Sequence, residues 1–355
     1  LKRVVGERPP LVTGPWRLEE LSAGRLSYPK NGLKVFSCFH CGGGSSMGYK
    51  LAGFDVIGGV EIDPEMMKLY HRNVLTGDKH LSFLMGVQDF VRCEMEHLPP
   101  VMYDLDVLDG SPPCSSFSMT GSREKAWGKK KFREGQAEQV LDDLFFDYIK
   151  IAKRLQPKVV VAENVKGLVI GNAKGYVRDI FRGYDEAGYD TQLFLLNSSR
   201  MGVPQSRERI FFVSRRKDLK LPKVEFGFAE EPITVRQAWL GVDEMGKKLT
   251  PKCTDIWCRT LPGQFFSKAN NGSWFNWIRL SMDKPSSTLS ANCRLTHPEE
   301  PRFLGDLQAI RLQSFPDDYD FTGVDARYVC GMSVPPIMMQ RVATEIAAQL
   351  LPPKG

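Results

Sequence analysis

The chain has 355 residues, too long for one small domain and suited to a large α/β domain with a smaller companion. Its 42% hydrophobic and 25% charged content is that of an ordinary globular protein. No apolar run approaches a membrane span or the core of a signal peptide, so a cytoplasmic protein is expected, and Leu1 in place of Met leaves room for residues upstream. Lysine and arginine exceed aspartate and glutamate by 48 to 42, a net +6 that permits nucleic-acid binding without demanding it.

Residues 1–32 are rich in proline, glycine and charge and read as an N-terminal arm. From Leu33 the pattern becomes strand, turn, helix, strand. Leu33–Cys38 is an apolar strand, a glycine turn follows, and a helix is expected over Ser46–Ala52. A strand at Val56–Glu61 leads to a helix at Pro64–Asn73, whose proline sits in the first turn where its missing N–H costs nothing. Apolar strands at Leu105–Leu108 and Val159–Glu163 flank a helical segment from Glu138 to Leu155, and further strands fit Thr191–Leu196 and Arg209–Ser214. This alternation implies an α/β fold with a doubly wound, mostly parallel sheet over residues 33–216. Residues 217–300 lose sustained periodicity and read as a smaller domain of mixed β and loop. Residues 301–355 return to the large domain with a closing helix at Ile337–Leu351.

Six motifs carry chemistry. The turn Phe39-His40-Cys41-Gly42-Gly43-Gly44 lets the backbone approach a ligand, yet it lacks the third glycine of a dinucleotide fingerprint and the Gly-Lys-Ser/Thr of a phosphate loop. Glu61 ends the second strand, where a carboxylate suits ribose hydroxyls. Cys114 follows two prolines just past the apolar run at Leu105–Leu108, a stiff placement that suits a nucleophile. Glu163 ends another strand in Glu163-Asn164-Val165, and Gln205-Ser206-Arg207-Glu208-Arg209 sets two arginines on one face at strand spacing. Gly331-Met332-Ser333-Val334-Pro335 is a tight turn entering a helix. Arg123 to Arg133 is a basic segment with Trp127 and Phe132 interleaved, placed to meet phosphates. The eight cysteines form no disulfide framework. Cys38-Phe39-His40-Cys41 has metal-ligand spacing but ends a strand and opens a glycine turn, so no metal is expected.

Cysteine, Glu-Asn-Val, Gln-x-Arg-x-Arg and Gly-x-Ser-Val, in this order, closely resemble the DNA (cytosine-5) methyltransferases of bacterial or phage type. The resemblance runs from about Val35 to the end. It implies S-adenosyl-L-methionine as cofactor, in a pocket formed by Phe39, Cys41, Gly43, Gly44, Glu61, Ile62, Asp89, Phe90, Pro113, Leu144, Ser333 and Val334. Asp89 would accept from the adenine amino group. Cys114 would add to cytosine C6, with Arg207 and Arg209 as cations beside its thiolate and Glu163 bonded to the base. The base would be extruded from double-stranded DNA. Ser118, Lys129, Lys130, Lys131, Arg133 and Gln205 would meet DNA, and Arg259, Thr260 and Leu261 would read the target. A monomer is expected, with a companion restriction endonuclease left open.

The chain departs from the family pattern at three places. Ser37-Cys38-Phe39 replaces Asp-Leu-Phe, Cys41 replaces a glycine, and Met332 replaces an asparagine. Two alternatives stand beside this reading: an RNA cytosine-5 methyltransferase, against which the Glu-Asn-Val motif argues, and a degenerate methyltransferase fold that only binds DNA.

Overall fold

The computed structural model describes residues 11–22, 24, 30–75, 81–93, 98–113, 143–170, 174–274, 276–291 and 294–351. Cys114, Ser118, Lys129, Lys130, Lys131 and Arg133 lie outside the described residues.

A short helix α1 (Leu18–Ser22) precedes the first alternation of β1 (Lys34–Cys38), α2 (Gly44–Leu51), β2 (Asp55–Glu61), α3 (Pro64–Asn73), β3 (Leu81–Leu84) and α4 (Val87–Arg92). Asp63 caps α3 by accepting from the Glu65 and Met66 amides, with Pro64 in the first turn. The chain continues through β4 (Val107–Gly110), α5 (Leu144–Leu155), β5 (Val159–Val165), α6 (Lys174–Glu186), β6 (Tyr189–Asn197), β7 (Gln205–Ser206) and β8 (Glu208–Arg216). These strands, β7 apart, form one sheet in the order β3-β2-β1-β4-β5-β8-β6. The first five are parallel, and β8 runs antiparallel to both neighbours.

Strand residues alternate between two cores. Val35, Val107, Val159 and Val161 pack on one face with Met47, Tyr70 and the C-terminal helix residues Met338, Met339 and Val342. Phe36, Leu108, Val160 and Ala162 pack on the other with Phe145, Tyr148, Ile180 and Tyr184. Both faces are therefore covered, as a largely parallel sheet requires. The order reverses direction between β1 and β4, so the crevice beyond their carboxyl ends is where a ligand binds in such a fold.

Beyond Arg216 come α7 (Val235–Ala238), α8 (Pro251–Arg259) and the two-residue strands β9 (Gln264–Phe265), β10 (Ile278–Arg279), β11 (Ser286–Ser287) and β12 (Leu295–Thr296). A separate small core gathers Leu249, Cys253, Ile256, Trp257 and Phe266. Then α9 (Asp306–Leu312), α10 (Ala326–Met332) and α11 (Pro336–Leu350) follow. Helix α11 lies on α2 so closely that a Cβ at Gly48 would stand 2.5 Å from Met339 Cβ. The N-terminal residues dock on the same region. Trp16 is buried, with its indole N–H on the Ser314 carbonyl at 2.9 Å, and the Val12 amide reaches Gln340 Oε1 at 3.2 Å.

Apart from β1, which starts one residue late, the observed strands extend the expected ones by a residue or two, with one informative shift. The strand expected at Leu105–Leu108 occupies Val107–Gly110, so Asp109 lies inside it. A buried carboxylate survives there because neighbouring hydroxyls bond it.

Candidate active site

The glycine turn follows β1 directly. Phe39 and Cys41 adopt φ of 55° and 48°, and Gly43 reaches 76° as it caps α2. The left-handed region disfavours a Cβ, so the family's glycine at the Cys41 position has a backbone reason, and Cys41 meets it with strain. The Cys41 thiol lies 3.6 Å from Met66 Sδ, and burial pushes it up to about 12, which keeps it protonated. His40 stacks on Tyr70 with centroids 3.6 Å apart, and burial pulls its pKa down to about 3, leaving a neutral ring. Cys38 is buried in the strand, its thiol pushed well up by burial and by Asp109. Among the described residues no three His, Cys, Asp or Glu side chains cluster as metal ligands.

Glu61 ends β2 with both oxygens used. Oε2 accepts from the Cys41 amide at 3.0 Å, and Oε1 accepts from the amides of Ile62 at 2.9 Å and Asp63 at 3.0 Å. One carboxylate thus fixes the turn and the strand end together. Burial raises its pKa, opposed by those three amides. Gly44 abuts the C-terminal motif: a Cβ there would stand 2.1 Å from the Val334 carbonyl and 3.2 Å from Ser333 Cβ. The structure thereby brings Gly44, Ser333 and Val334 into one wall. Asp89 and Ile62 converge on Gly86, whose Cβ would lie 3.4 Å from Asp89 Oδ2 and 3.7 Å from Ile62 Cδ1. Asp89 is 68% exposed and loosely paired with Arg92 at 3.6 Å, so its carboxylate is open to a donor. An anchored acid at the ribose position, an open acid and an isoleucine beyond it, and half-buried Phe39 and Pro113 fit S-adenosylmethionine.

Two expected pocket residues are buried. Phe90 stacks on Phe36 at 5.9 Å and its amide bonds Gly86, and Leu144 is fully buried at the start of α5. Apolar burial at helical spacing claimed both. Met332 is 53% exposed at the end of α10, so the missing asparagine is not the loss of a buried polar partner.

The second half of the site stands at the carboxyl end of β5. Glu163 Oε1 lies 3.0 Å from Arg209 Nε, with both side chains almost wholly buried. Burial lowers the Arg209 pKa, and Glu163 opposes that. The next residue, Asn164, donates from Nδ2 to the Pro112 carbonyl at 3.0 Å. That bond anchors the proline segment two residues before Cys114 to the strand end that holds Glu163.

Three expectations are corrected. Arg207 does not share a strand face with Arg209, because it lies in the break between β7 and β8. Its guanidinium donates to the carbonyls of Leu289 at 2.9 Å, and Gly331 and Ser333 at 3.2 Å each. Buried, with its two terminal nitrogens on backbone carbonyls and its Nε left without a partner among the described residues, it ties the β7–β8 break to the Leu289 loop and the Gly331–Ser333 turn and still feels Arg209 and Glu163. Gln205 does not face DNA: it is fully buried, donating to the Leu312 carbonyl and Gln313 and accepting from the Leu289 amide. Thr260 is buried with its hydroxyl on the Ile256 carbonyl, so its side chain reaches no base edge. Arg259 bonds Asp255 and the Ala269 carbonyl, leaving Leu261, at 63% exposure, as the open member of that trio.

Sequence reasoning missed a buried polar cluster under the glycine turn. Asp109 Oδ2 accepts from Ser45 Oγ at 2.6 Å and Ser37 Oγ at 3.1 Å, while Ser46 Oγ lies 3.0 Å from Ser37 Oγ and 2.8 Å from the Tyr70 hydroxyl. The acid before Cys114 was the available signal, but read as a strand end it looked like punctuation.

A mostly parallel sheet with a switch point between β1 and β4, a carboxylate anchored at the end of β2 and a buried, paired carboxylate on β5 are the frame of an S-adenosylmethionine-dependent methyltransferase. The model of the C-5 cytosine-specific DNA methylase family matches residues 33–240 and 249–348, and the chain belongs to that family. It is 29% identical over 362 residues to the type II methyltransferase M.FnuDI of Fusobacterium nucleatum, covering 90% of this chain and 95% of that one. Identity to M.NgoPII of Neisseria gonorrhoeae is 26% over 351 residues, with 90% and 97% covered. The fold is also that of a crystal structure described as a prophage-encoded DNA modification methyltransferase of E. coli. The TM-score is 0.70 at 22% identity, with 90% of this chain and 99% of that one covered. The protein is a DNA cytosine-5 methyltransferase that uses S-adenosylmethionine.

Proposed function

We propose that the chain methylates cytosine within a specific double-stranded DNA sequence, with the target base extruded and Cys114 as nucleophile. The observation that carries this is the buried Glu163–Arg209 pair, joined through Asn164 to the Pro112 carbonyl at the foot of the Cys114 segment. S-adenosylmethionine supplies an electrophilic methyl group when bound. The Cys114 thiolate would form a bond to cytosine C6, and the ring's electrons would make C5 nucleophilic enough to take that methyl, the S–CH3 bond breaking with its electron pair left on sulfur as the thioether of S-adenosylhomocysteine. C5 then loses its proton to a base, the C6–S bond breaks, and 5-methylcytosine and free thiolate return. Glu163, oriented by Arg209, bonds the extruded base at N3 and the amino group and steadies charge as the adduct forms.

The region 217–300 would choose the target, with exposed Arg259 and Leu261 as its candidates there. The basic segment with Lys129, Lys130, Lys131 and Arg133 would hold the phosphates. We further propose that the protein acts as a monomer in the cytoplasm, on the nucleoid, and pairs with a restriction endonuclease, in keeping with the type II relatives. No helix among the described residues is long and apolar enough to cross a membrane.

The Cys114→Ser variant should bind S-adenosylmethionine as the wild type does and transfer no methyl, because a hydroxyl is a far weaker nucleophile than a thiolate. Duplex carrying 5-fluorocytosine at the target should trap the wild type covalently, since fluorine blocks the final proton loss. Turnover by the serine variant, or no trapping, would overturn the assignment of Cys114.

A further inference from the structure

We propose that Asp109 is a positioning residue for S-adenosylmethionine, and that its carboxylate on β4 holds the glycine turn in its binding shape from beneath. Asp109 acts through Ser45, Ser37 and Ser46. Ser45 and Ser46 sit in the first turn of α2, immediately after Gly43 and Gly44. The Ser45 hydroxyl donates to Asp109 Oδ2 at 2.6 Å, the shortest bond of the cluster. Each hydroxyl has one proton, so with Asp109 accepting, the string has one sense. Tyr70 donates to Ser46, Ser46 to Ser37, and Ser37 to Asp109. A charged acceptor at the end of such a string fixes every hydroxyl in it.

Ser37 and Asp109 are direct partners in the β1–β4 register, so the two side chains face one another across adjacent strands. The family pattern carries an acid at the Ser37 position. Here that position is a hydroxyl, and the acid stands on the partner strand 3.1 Å away. The carboxylate thus stands one strand across the sheet from the position of the family's acid. Its strand, β4, runs on through Gly110 to Pro113, so cofactor turn and nucleophile segment share a rigid link.

The groups facing this carboxylate are Ser37 and Cys38 of β1, Ser45, Ser46 and Tyr49 of α2, Tyr70 of α3, Tyr148 of α5 and Glu163 of β5. None is a cation. Burial foremost, with the Glu163 charge adding, lifts Asp109 to about 7, against the hydroxyls that favour its charged form. Protonation would put a donor where the string needs an acceptor, so cofactor binding should weaken as pH falls through that range.

The test is calorimetry of S-adenosylmethionine binding to the full chain without DNA, together with thermal unfolding of the free protein. Asp109→Asn should weaken binding by about tenfold or more, the scale of a lost charged hydrogen bond. It should also flatten the pH dependence of the dissociation constant, which in the wild type should rise up to about tenfold from pH 8 to pH 6. Asp109→Ser should weaken binding likewise. Ser37→Asp alone should destabilise the fold by facing two carboxylates. Ser37→Asp combined with Asp109→Ser returns the acid to β1 and should bring affinity back to within a few-fold of wild type. Unchanged affinity and pH profile in Asp109→Asn would overturn the proposal. So would a double variant that regains thermal stability without regaining affinity. If Asp109→Asn does not fold, the double variant alone decides.

Discussion

At the scale of the residue, the Glu163–Arg209 pair lies almost entirely out of water, and each charge depends on the other. Arg209→Met should leave Glu163 buried and unpaired, lowering stability by about 3–5 kcal/mol in urea unfolding and abolishing methyl transfer. A loss under about 1 kcal/mol, as for a surface pair, would contradict the burial. Asp109 gives a pH signature of opposite sign to the usual paired acid. Its folded pKa is raised to about 7, so the folded state holds a proton that the unfolded state has released. Its contribution is complete below the unfolded value near 3.8 and is lost as pH rises towards 7, then stays level. Comparing wild type with Asp109→Asn should isolate a slope of at most ~1.4 kcal/mol per pH unit across that window. Glu61, also raised by burial, adds a slope of the same sign that both proteins share. Glu163 and Glu61 were legible in the sequence because each ends an apolar strand. Asp109 was not, because nothing in its neighbourhood says that hydroxyls wait for it on another strand.

At the scale of the element, the helix and sheet periods located six of the seven strands of the main sheet and α3 to within two residues, since burial of alternate residues leaves a direct trace, while the short, half-buried edge strand β3 went unread. Packing between elements left a fainter one. Gly48 in α2 is spaced for nothing but a turn in the sequence, yet a Cβ there would meet the Pro336 carbonyl at 2.6 Å and the Gln340 amide at 2.9 Å. Gly48→Ala should gain up to about 1 kcal/mol of helix propensity and lose more by overpacking, which costs ~1–3 kcal/mol. Thermal unfolding should show a net loss, because backbone atoms of α11 cannot rotate aside. A more stable variant would mean that α2 and α11 slide apart freely. The two-arginine reading failed for an element-scale reason as well. Alternate spacing implies one face only if the strand is unbroken, and the chain leaves the strand at Arg207.

At the scale of the whole molecule, the C-terminal segment, the N-terminal residues and α2 share one core, so the cofactor wall is built from both ends of the chain. Arg207 joins that assembly to the loop at Leu289. DNA engagement belongs to this scale also. Changing Lys129, Lys130, Lys131 and Arg133 to Ala should weaken binding at every sequence. The slope of log affinity against log salt should fall by roughly 0.9 for each phosphate left without its cation. Sequence preference and S-adenosylmethionine affinity should hold, because cations on phosphates position a duplex without reading it. Titrations at several salt concentrations that give an unchanged slope would place the cluster away from DNA.

The sequence by itself determined the family, the α/β alternation, and the order in which Cys114, Glu163 and the glycine turn arrive. These depend on motif order and on burial periods that local residues record. Only the tertiary structure decided what the polar residues between those landmarks do. It turned Arg207 and Gln205 inward onto backbone carbonyls and amides, buried Thr260, Phe90 and Leu144, and set Asp109 beneath the cofactor turn. A buried donor or acceptor must find its partner wherever the fold supplies one. For Asp109, Gln205 and Arg207 those partners lie far along the chain, 64 residues between Ser45 and Asp109 and 126 between Arg207 and Ser333, and no local pattern carries that information.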